Sequence, residues 1–575
     1  MKKLMLGNEA VARGLYEAGC SYISSYPGTP STEITESASK YPEIHCEWAP
    51  NEKVAMESAH GATLAGKRTA CAMKHVGQNV AADPLFTISY IGVDNGMVIC
   101  VADYPGLHSS QNEQDSRHYA IAAKLPMLEP SDSGECRDFA KIAYDLSEKY
   151  HTAVMLKLCT RISHAQSIVE LGERAVPDSV PYEKKFSRVM LPVNAKKAHY
   201  AVEERMKALL EYAEETPLNR VEEGTDHSIG IITGSTCYQY TKEVFGDKYP
   251  VLKLGMSNPL PVKKIQDFAK IVDRVLVIEE LDPIIEIHCK AIGVPVEGKS
   301  IFPMVDEFSQ RVIRESMGIT QPESAEADAV IPGRPPAMCS GCPHRGIFYL
   351  LKKHNLRVFG DIGCYTLGAT PPLSAMDVSV CMGASLSGMH GFNKAAGTEM
   401  SKKSVGVIGD STFMHSGMTG LADIAYNNSN STVIILDNSI TGMTGHQQNP
   451  TSGYDLYGNP ATKIDLEALC RAMGIKRVRV IDPYNLAESE KAILEETEAE
   501  EPSVIIARRP CALLKTVKHN PPLHVEKDTC VGCRSCMKIG CPSLSFRDKK
   551  AVIDQTLCAG CGVCQELCPI GAIQE

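Results

Sequence analysis

The chain has 575 residues, 43% of them hydrophobic, which is enough for about three or four domains with substantial cores. Its formal net charge of −10 argues against a nucleic-acid-binding protein, which would need a basic stripe. No apolar run approaches the roughly 20 residues that span a bilayer, and the N-terminus lacks the apolar core of a signal peptide. We therefore expect a cytoplasmic protein that binds neither nucleic acid nor membrane.

The first part of the chain alternates short apolar runs with helical patterns, which is typical of a parallel α/β sheet. The predicted strands are Tyr22–Tyr26, Met97–Val101 and Ala153–Lys157, and a helix is predicted over Glu52–Leu64. The polar stretch Pro177–Ala198 is predicted to be a linker. The sequence thus indicates a first domain over residues 1–180.

Two segments of this domain are candidates for a site. Glu52 opens a helix of mostly small, apolar residues, where an acid either favours the helix dipole or acts as a proton-transfer group. The segment 26–32 reads Tyr-Pro-Gly-Thr-Pro-Ser-Thr, and its hydroxyls either cap a helix or bind a ligand. The polar loop His108–Glu113 is a candidate lining of a substrate pocket.

Two further α/β units follow. Predicted strands at Ser228–Gly234 and Arg274–Glu279 indicate a middle domain over residues 199–320, and the linker Gln321–Pro336 follows it. Predicted strands at Ser404–Ile408, Thr432–Leu436 and Ser503–Ala507 indicate a third domain over residues 336–519. Asn520-Pro521-Pro522 then marks the boundary of a cysteine-rich tail.

Polar residues follow two neighbouring strands of the third domain. Gly409-Asp410-Ser411 comes directly after one strand, and Asn438 follows the next, 28 residues beyond Asp410. Parallel strands in a βαβ unit end at the same edge of the sheet, where ligands bind. Carboxylate and amide oxygens suit Mg²⁺, and the backbone carbonyl of Ile440 is a candidate further ligand. Gly-Asp-Ser alone is also a common turn.

Three other segments of the third domain combine glycine with polar or sulfur-containing residues. They are Cys339–Arg345, which includes Cys342, His344 and Arg345, the strand end with Gly363 and Cys364, and the turn with Gly383. Glycine permits close approach of the backbone to a cofactor. Each segment also fits a tight turn in an α/β domain or, for Cys339–Arg345, a zinc or redox site.

The tail, residues 522–575, holds eight of the 22 cysteines. They form two runs, Cys530-x2-Cys533-x2-Cys536-x4-Cys541-Pro542 and Cys558-x2-Cys561-x2-Cys564-x3-Cys568-Pro569. This is similar to the paired pattern of a bacterial two-cluster ferredoxin, in which the fourth ligand of each [4Fe–4S] cluster comes from the other run. The similarity assigns Cys530, Cys533, Cys536 and Cys568 to one cluster and Cys541, Cys558, Cys561 and Cys564 to the other.

The tail departs from that pattern in one place, because four residues rather than three precede Cys541. The alternative is a pair of zinc sites, but zinc usually takes paired Cys-x2-Cys knuckles. A segment this short also buries too little apolar surface to fold without cross-links, which the clusters would provide.

Together these motifs resemble the 2-oxoacid:ferredoxin oxidoreductases, and the domain order resembles the alpha subunits of the indolepyruvate:ferredoxin oxidoreductases. Gly409-Asp410-Ser411 with Asn438 resembles the thiamine diphosphate motif of that family, although Ser411 replaces its second glycine. The resemblance implies doubly wound, thiamine-diphosphate-binding α/β domains at 1–180 (pyrimidine) and 336–519 (diphosphate), with a middle α/β domain and an α+β two-cluster tail.

The resemblance also implies roles for single residues. The stretch from Glu52 to His60-Gly61-Ala62 is similar to the pyrimidine-binding segment, which makes Glu52 the residue that activates the cofactor. Thr29 matches a Tyr-Pro-x-Thr-Pro-Ser loop and would bind the oxoacid group. The loop with Cys342 matches the family's Cys-x-Gly-Cys loop, which implies that His344 and Arg345 face the diphosphate or the pyrimidine.

The implied activity is oxidative decarboxylation of arylpyruvates such as indolepyruvate, with coenzyme A as acyl acceptor and ferredoxin as electron acceptor. The implied cofactors are thiamine diphosphate, Mg²⁺ and two [4Fe–4S] clusters. A smaller beta subunit is expected, in an α2β2 assembly. The alternatives are a non-oxidative thiamine diphosphate 2-oxoacid decarboxylase and an electron carrier with a degenerate α/β body.

Overall fold

The computed structural model describes residues 1–323 and 330–575 and falls into two compact units, Met1–Glu326 and Ala327–Glu575. Part of the predicted linker Gln321–Pro336 lies outside the described residues. Within those two ranges, no helix has both the length and the apolar composition needed to cross a membrane.

The first unit begins with alternating strands and helices. The strands are β1 (Lys2–Leu6), β2 (Tyr22–Ser25), β3 (His45–Trp48), β4 (Thr69–Lys74), β5 (Met97–Asp103), β6 (Met127–Leu128), β7 (Val154–Cys159) and β8 (Gln166–Glu170). The helices are α1 (Gly7–Glu17), α2 (Thr32–Ala38), α3 (Glu52–Leu64), α4 (His75–Val80), α5 (Ala82–Ile91), α6 (Arg117–Ala123), α7 (Ser133–Tyr150) and α8 (Thr160–His164). The predicted helix and the three predicted strands are confirmed to within about two residues at each end.

The remainder of this unit has a smaller sheet. The strands of this part of the chain are β9 (Asn219–Glu222), β10 (Gly230–Gly234), β11 (Val251–Leu254), β12 (Met256–Asn258) and β13 (Val275–Ile278), and all but β12 form the smaller sheet. The helices of this part are α9 (Pro192–Glu215), α10 (Ser235–Phe245), α11 (Val262–Lys270), α12 (Ile284–Ala291) and α13 (Gln310–Ser316). Helix α9 begins inside the predicted linker Pro177–Ala198. Pro192 lies in its first turn, where the fixed φ of proline favours a helix.

The main sheet and the smaller sheet of the first unit are linked through β12, while β1 and β8 form a separate two-stranded antiparallel sheet. The main sheet has the order β12-β6-β7-β5-β4-β2-β3, and all its neighbours are parallel except β12 and β6. The smaller sheet has the order β13-β10-β11-β9, in which β9 is antiparallel to β11. Because β12 pairs with β6, the middle part of the chain extends the first sheet rather than standing apart from it.

A buried ionic network also connects these two parts of the first unit. The Arg117 guanidinium donates to the carboxylates of Asp115 and Glu279, each with a shortest N–O distance of 2.6 Å. All three residues are at most 5% exposed. Burial alone would raise the pKa of Asp115, but the Arg117 charge lowers it to about 2. The network therefore depends on the guanidinium to compensate two buried carboxylates.

Replacing Arg117 with methionine is expected to lower the free energy of unfolding of the first unit by about 3–5 kcal/mol, because it leaves buried carboxylates without their cation. Chemical denaturation followed by circular dichroism measures the change. Arg311→Met is the control, since Arg311 forms an exposed pair with Glu315 and its loss is expected to cost less than about 0.5 kcal/mol. Equal effects of the two substitutions would contradict this account.

The second unit contains one parallel sheet and the tail. Its strands are β14 (Arg357–Gly360), β15 (Val378–Ser379), β16 (Ser404–Gly409), β17 (Thr432–Asp437), β18 (Arg477–Ile481), β19 (Ser503–Arg508), β20 (His524–Val525), β21 (Leu544–Arg547), β22 (Lys550–Ile553) and β23 (Ile573–Gln574). Its helices are α14 (His344–Lys353), α15 (Ala384–Ala396), α16 (Thr398–Ser401), α17 (Asp410–Thr412), α18 (Met418–Tyr426), α19 (Leu466–Ala472), α20 (Leu486–Thr497) and α21 (Val563–Glu566).

The sheet of the second unit is covered on both faces. Its strands are all parallel, in the order β15-β14-β16-β17-β19-β18. Alternate residues of β17 enter different cores: Val433 and Ile435 pack in one, and Ile434 and Leu436 pack in the other. This explains why β17 is apolar almost throughout, as central parallel strands are.

The tail consists of two short antiparallel ribbons, β20–β23 and β21–β22. Its apolar side chains belong to the same core as α14 and strands β16 and β17. The tail is therefore packed onto the sheet domain within one unit, and the predicted α/β class with a small α+β tail is confirmed.

Candidate functional site

In the first unit, Glu52 lies at the first position of α3, after β3. Asn51 caps the helix by accepting a hydrogen bond from the Val54 N–H at 2.9 Å. The Glu52 side chain is buried, at 4% exposure, and it packs against Gly77 at the start of α4. A Cβ on Gly77 would lie 2.4 Å from the Glu52 Oε1 atom, so only glycine leaves room for this carboxyl group.

The segment with Thr29 lies at the carboxyl end of β2, at the edge of the sheet where parallel α/β folds bind ligands. Its conformation is fixed by the Gly28 N–H donating to the Thr32 hydroxyl at 2.9 Å and by the Ser31 hydroxyl donating to the Gly28 carbonyl at 2.8 Å. Ser31 and Thr32 thus organise the loop, while Thr29 remains partly exposed.

Lys74 is a residue of this edge that the sequence analysis missed. It ends β4, and its Cβ lies about 3.1 Å from the place a Cβ on Gly28 would take. Its ammonium group donates to the Ser109 carbonyl at 3.1 Å, which brings the predicted loop His108–Glu113 to the same edge. Burial lowers the pKa of Lys74 to about 8. In the sequence it is marked only by its place at the end of an apolar run, directly before α4.

In the second unit, Asp410 and Asn438 emerge at one edge of the sheet. Strands β16 and β17 are parallel neighbours, with Gly409 opposite Leu436, so both residues follow the carboxyl ends of adjacent strands. Both are buried, at 2% and 8% exposure. The predicted neighbourhood is therefore present, and the assignment of these oxygens to Mg²⁺ stays a prediction.

The environment of Asp410 favours a bound cation. Burial and the nearby Asp437 carboxylate raise the pKa of Asp410 to about 7. Its Oδ2 atom accepts from the Thr451 hydroxyl at 2.8 Å and from the Asn449 amide at 3.5 Å. A buried acid with no cation partner among the described residues is costly when ionised, and a divalent ion would remove that cost. The donor set therefore fits Mg²⁺.

The residues after β17 complete this edge. The Ile440 N–H donates to the Asn438 Oδ1 atom at 3.3 Å, and Ser439 has a left-handed φ of 58° that turns the chain there. The Thr441 hydroxyl donates to the Ser411 hydroxyl at 2.9 Å. Ser411 is thus part of the polar edge, in place of the glycine of the family motif.

His344 and Arg345 have different surroundings, although both open α14. The buried His344 ring lies 3.4 Å from the Asn438 amide nitrogen, and burial lowers the pKa of His344 to about 4. Arg345 instead donates to the carbonyls of Ile539 and Gly540 in the tail, at 3.2 and 2.6 Å. The guanidinium of Arg345 is thus engaged by backbone carbonyls, and the expectation that Arg345 faces the diphosphate or the pyrimidine stays a prediction.

The buried side chain of Asp361 holds the turn with Gly383 in place through hydrogen bonds. The Asp361 carboxylate accepts from the Gly383 N–H at 2.9 Å and from the Ser385 hydroxyl at 2.7 Å. The Gly363 N–H donates to the Thr366 hydroxyl at 3.2 Å.

Burial raises the pKa of Cys342 to about 12 and that of Cys364 to about 11, so both are neutral thiols in this environment. Their cofactor-binding roles stay predictions.

In the tail, the eight cysteines separate into two groups of four. One pocket is lined by Cys530, Cys533, Cys536 and Cys568. A second is lined by Cys541, Cys558, Cys561 and Cys564, together with Cys342 from the loop before α14. Each pocket thus takes three cysteines from one run and one from the other, which fits the predicted crossover of ligands.

A [4Fe–4S] cluster and a single zinc ion place different demands on the spacing of their cysteine ligands. In a four-iron cubane each cysteine binds a different iron atom, whereas ligands of one zinc ion all lie about 2.3 Å from it. Among residues 1–323 and 330–575, no three His, Cys, Asp or Glu side chains are close enough to share one ion.

Three protein families match separate parts of the chain. Pyruvate flavodoxin/ferredoxin oxidoreductase, thiamine diP-bdg matches residues 13–216. Thiamine pyrophosphate enzyme, C-terminal TPP binding domain matches residues 361–507. A 4Fe-4S dicluster domain matches residues 523–569. These matches confirm the predicted cofactors: thiamine diphosphate with its usual Mg²⁺, and two [4Fe–4S] clusters.

Curated relatives match over the whole chain. Indolepyruvate oxidoreductase subunit IorA of Archaeoglobus fulgidus is 40% identical over 100% of this chain and 97% of the relative. The protein of the same name from Pyrococcus horikoshii is 37% identical over the same shares. Ketoisovalerate oxidoreductase subunit VorB of Methanothermobacter marburgensis is 26% identical over 30% of this chain and 52% of the relative.

Among solved structures, 2-oxoglutarate:ferredoxin oxidoreductase from Magnetococcus marinus aligns with 55% of this chain and 65% of its own, at 18% identity and a TM-score of 0.46.

The assignment of cysteines to two clusters leads to a test. Cys564→Ser is expected to remove one cluster and leave the other, lowering the iron content from about eight to about four atoms per chain. Anaerobic iron analysis with electron paramagnetic resonance of the reduced protein measures this. Cys470→Ser is the control, because Cys470 is a buried core thiol distant in sequence from the tail. Loss of both clusters with the tail still folded would contradict the assignment.

Proposed function

Since this chain belongs to the indolepyruvate oxidoreductase subunit IorA family, we propose that it oxidatively decarboxylates arylpyruvates such as indolepyruvate. Coenzyme A takes the acyl group, so the products are an arylacetyl-CoA and CO2. The two electrons released pass singly through the tail clusters to ferredoxin. The chain itself is the thiamine-diphosphate-dependent, iron–sulfur-containing subunit of a 2-oxoacid:ferredoxin oxidoreductase.

One observation carries the oxidative part of this proposal. The edge with Asp410 and Asn438 lies in the same compact unit as the two pockets that hold the eight tail cysteines, and the tail shares a hydrophobic core with the sheet. A decarboxylase that releases an aldehyde has no use for one-electron carriers fixed beside its cofactor edge. This placement supports electron transfer as part of the reaction.

Different residues of the chain are proposed to bind the metal and to exchange the proton. Bound thiamine diphosphate supplies an electron sink for the loss of CO2. Asp410 and Asn438 would hold Mg²⁺ through their side-chain oxygens, with the Ile440 carbonyl as a further candidate ligand, and the bound ion would supply positive charge for the diphosphate. Glu52 exchanges a proton with the aminopyrimidine through its carboxyl group, which Gly77 allows to pack in one position.

Two residues of the first unit are proposed to hold the substrate. Thr29 is partly exposed on the loop after β2 and offers a hydroxyl to the oxoacid group. Lys74 forms no ion pair with the described residues, and its ammonium group lies 4.9 Å from the centre of the Tyr104 ring. A cation beside an aromatic ring suits a ligand with both a carboxylate and an aromatic group.

The proposal includes partners. A smaller beta subunit is expected, because the name of the relatives identifies them as one subunit of an oxidoreductase. We propose an α2β2 assembly with ferredoxin as acceptor.

Turnover of a substrate panel by the anaerobically purified complex tests this function. The expected order of kcat/KM is indolepyruvate and phenylpyruvate well above pyruvate and 2-oxoisovalerate, with reduction of ferredoxin that requires coenzyme A. Preference for a branched aliphatic 2-oxoacid would overturn the arylpyruvate assignment but not the oxidoreductase. Release of CO2 without reduction of an acceptor would instead favour a non-oxidative decarboxylase.

A further inference from the structure

Arg345 is a buried cation without an anionic partner. It is 5% exposed, and its guanidinium donates to backbone carbonyls of Met338, Cys339, Ile539 and Gly540. Among the residues that the structure describes, no carboxylate lies within ion-pair distance of it. These four carbonyls accept hydrogen bonds from the guanidinium but do not neutralise its charge.

A buried guanidinium with no counter-charge is expensive, because burial removes its hydration. The pocket that Arg345 lines identifies the missing anion. That pocket also contains Cys541, Cys558, Cys561 and Cys564, the four predicted ligands of one cluster. A [4Fe–4S] core with four thiolates carries net negative charge, and it would stand in the position of the absent carboxylate.

The backbone around Arg345 holds it beside this pocket. Gly341 has a left-handed φ of 67°, and a Cβ there would lie 2.7 Å from the Ala559 Cβ in the tail. The Tyr484 hydroxyl donates to the Gly341 carbonyl, and the Leu486 N–H donates to the Glu566 carboxylate at 3.0 Å. The loop and the tail therefore approach closely, with little room for the guanidinium to turn away.

We propose that Arg345 is the counter-charge of the cluster held by Cys541, Cys558, Cys561 and Cys564 and that it raises the reduction potential of this cluster. One-electron reduction adds one negative charge to the cluster, with no bond made or broken. A nearby buried cation stabilises that charge, because the surrounding medium screens it weakly.

The position of Arg345 also gives this cluster a place in electron transfer. Its neighbour in sequence, His344, lies 3.4 Å from Asn438 at the cofactor edge. The segment Cys339–Arg345 thus contacts the cofactor edge on one side and the pocket of this cluster on the other. This placement makes the cluster the first acceptor of electrons that leave that edge, and a raised potential makes their transfer to it more favourable.

The other cluster provides an internal comparison. Arg534 lines the pocket of Cys530, Cys533, Cys536 and Cys568, and its guanidinium lies 4.1 Å from the centre of the Phe546 ring. Arg534 is exposed, so water and salt screen its charge. Removing the charge of Arg534 is therefore expected to change the reduction potential of its cluster much less than removing the charge of Arg345 changes that of the other cluster.

The test is an anaerobic redox titration of the whole chain, followed by electron paramagnetic resonance, without any 2-oxoacid. Arg345→Gln is expected to shift one midpoint potential to a more negative value and leave the other unchanged. Arg345→Lys, which keeps the charge, is expected to stay close to the wild type, and Arg534→Gln to shift neither cluster appreciably. The shifted signal should be the one that is missing in Cys564→Ser.

Equal shifts of both clusters in Arg345→Gln, a shift in Arg345→Lys as large as in Arg345→Gln, or a shift confined to the other cluster would overturn the proposal. If Arg345→Gln loses its tail structure, the midpoint potentials of Arg345→Lys and Arg345→Met are compared instead. A more negative potential in Arg345→Met alone supports the role of charge, and equal potentials in the two variants contradict it. Because no substrate is present, the result does not depend on the proposed arylpyruvate activity.

Discussion

Replacing Glu52 with glutamine is expected to lower kcat for 2-oxoacid-dependent ferredoxin reduction by about 10²- to 10⁴-fold, the range typical for loss of a proton-transfer group. Glutamine keeps the shape of the side chain but cannot exchange a carboxyl proton. The clusters lie in the other compact unit, so their iron content and spectra should not change. Steady-state kinetics with indolepyruvate, with iron analysis of the same sample, measures both effects.

Glu57 offers a matched control on the same helix. It is exposed one turn beyond Glu52 and pairs with Lys53, so Glu57→Gln should leave kcat within about twofold of the wild type. Gly77→Ala should reproduce much of the Glu52→Gln defect, because the added methyl group would displace the Glu52 carboxyl. Full activity in Glu52→Gln would remove this residue from the mechanism.

Asp410→Asn is expected to have two opposite effects. It should abolish retention of Mg²⁺ and thiamine diphosphate, because the neutral amide offers the metal only a weak ligand. It should also stabilise the cofactor-free protein at pH 8. The pKa of Asp410 is raised to about 7 when folded, from an ordinary value near 3.8. Its contribution to stability is therefore present below about pH 4 and is lost as the pH rises through 7.

The size and pH dependence of the second effect follow from that shift. At pH 8 the asparagine variant should be more stable by at most about 4 kcal/mol, since one pKa unit corresponds to about 1.4 kcal/mol. The advantage should disappear below about pH 4. Thermal unfolding of metal-free protein between pH 4 and 8 measures it, with the exposed Asp423→Asn as control. A destabilised Asp410→Asn protein at pH 8, or one that still retains Mg²⁺, would contradict this account.

The sequence predicted those parts of the site that follow from strand periodicity and local spacing. Asp410 and Asn438 each follow an apolar strand, and parallel neighbours end at one edge, so their proximity needed no long-range information. The grouping of the tail cysteines followed from three-residue spacing and the pattern of paired clusters. Helix α3 was predicted correctly from its run of mostly small, apolar residues, and the structure adds the cap formed by Asn51.

The rest depends on tertiary contacts that local patterns do not encode. Asn449 and Thr451 reach Asp410 through a loop about 40 residues away in sequence, and Lys74 is positioned by its packing against the loop with Gly28. Arg345 adjoins His344 in sequence, yet the start of α14 directs the two side chains to different partners. Neighbours on a helix point about 100° apart, so a shared motif does not ensure a shared contact.

The stoichiometry of a single anaerobic reaction tests the central claim most directly. The complete complex is supplied with indolepyruvate, coenzyme A, thiamine diphosphate, Mg²⁺ and oxidised ferredoxin, and CO2, thioester and reduced ferredoxin are counted together. The account predicts about one thioester and about two reduced ferredoxins for each CO2. Release of CO2 with an aldehyde and no reduced ferredoxin would contradict it.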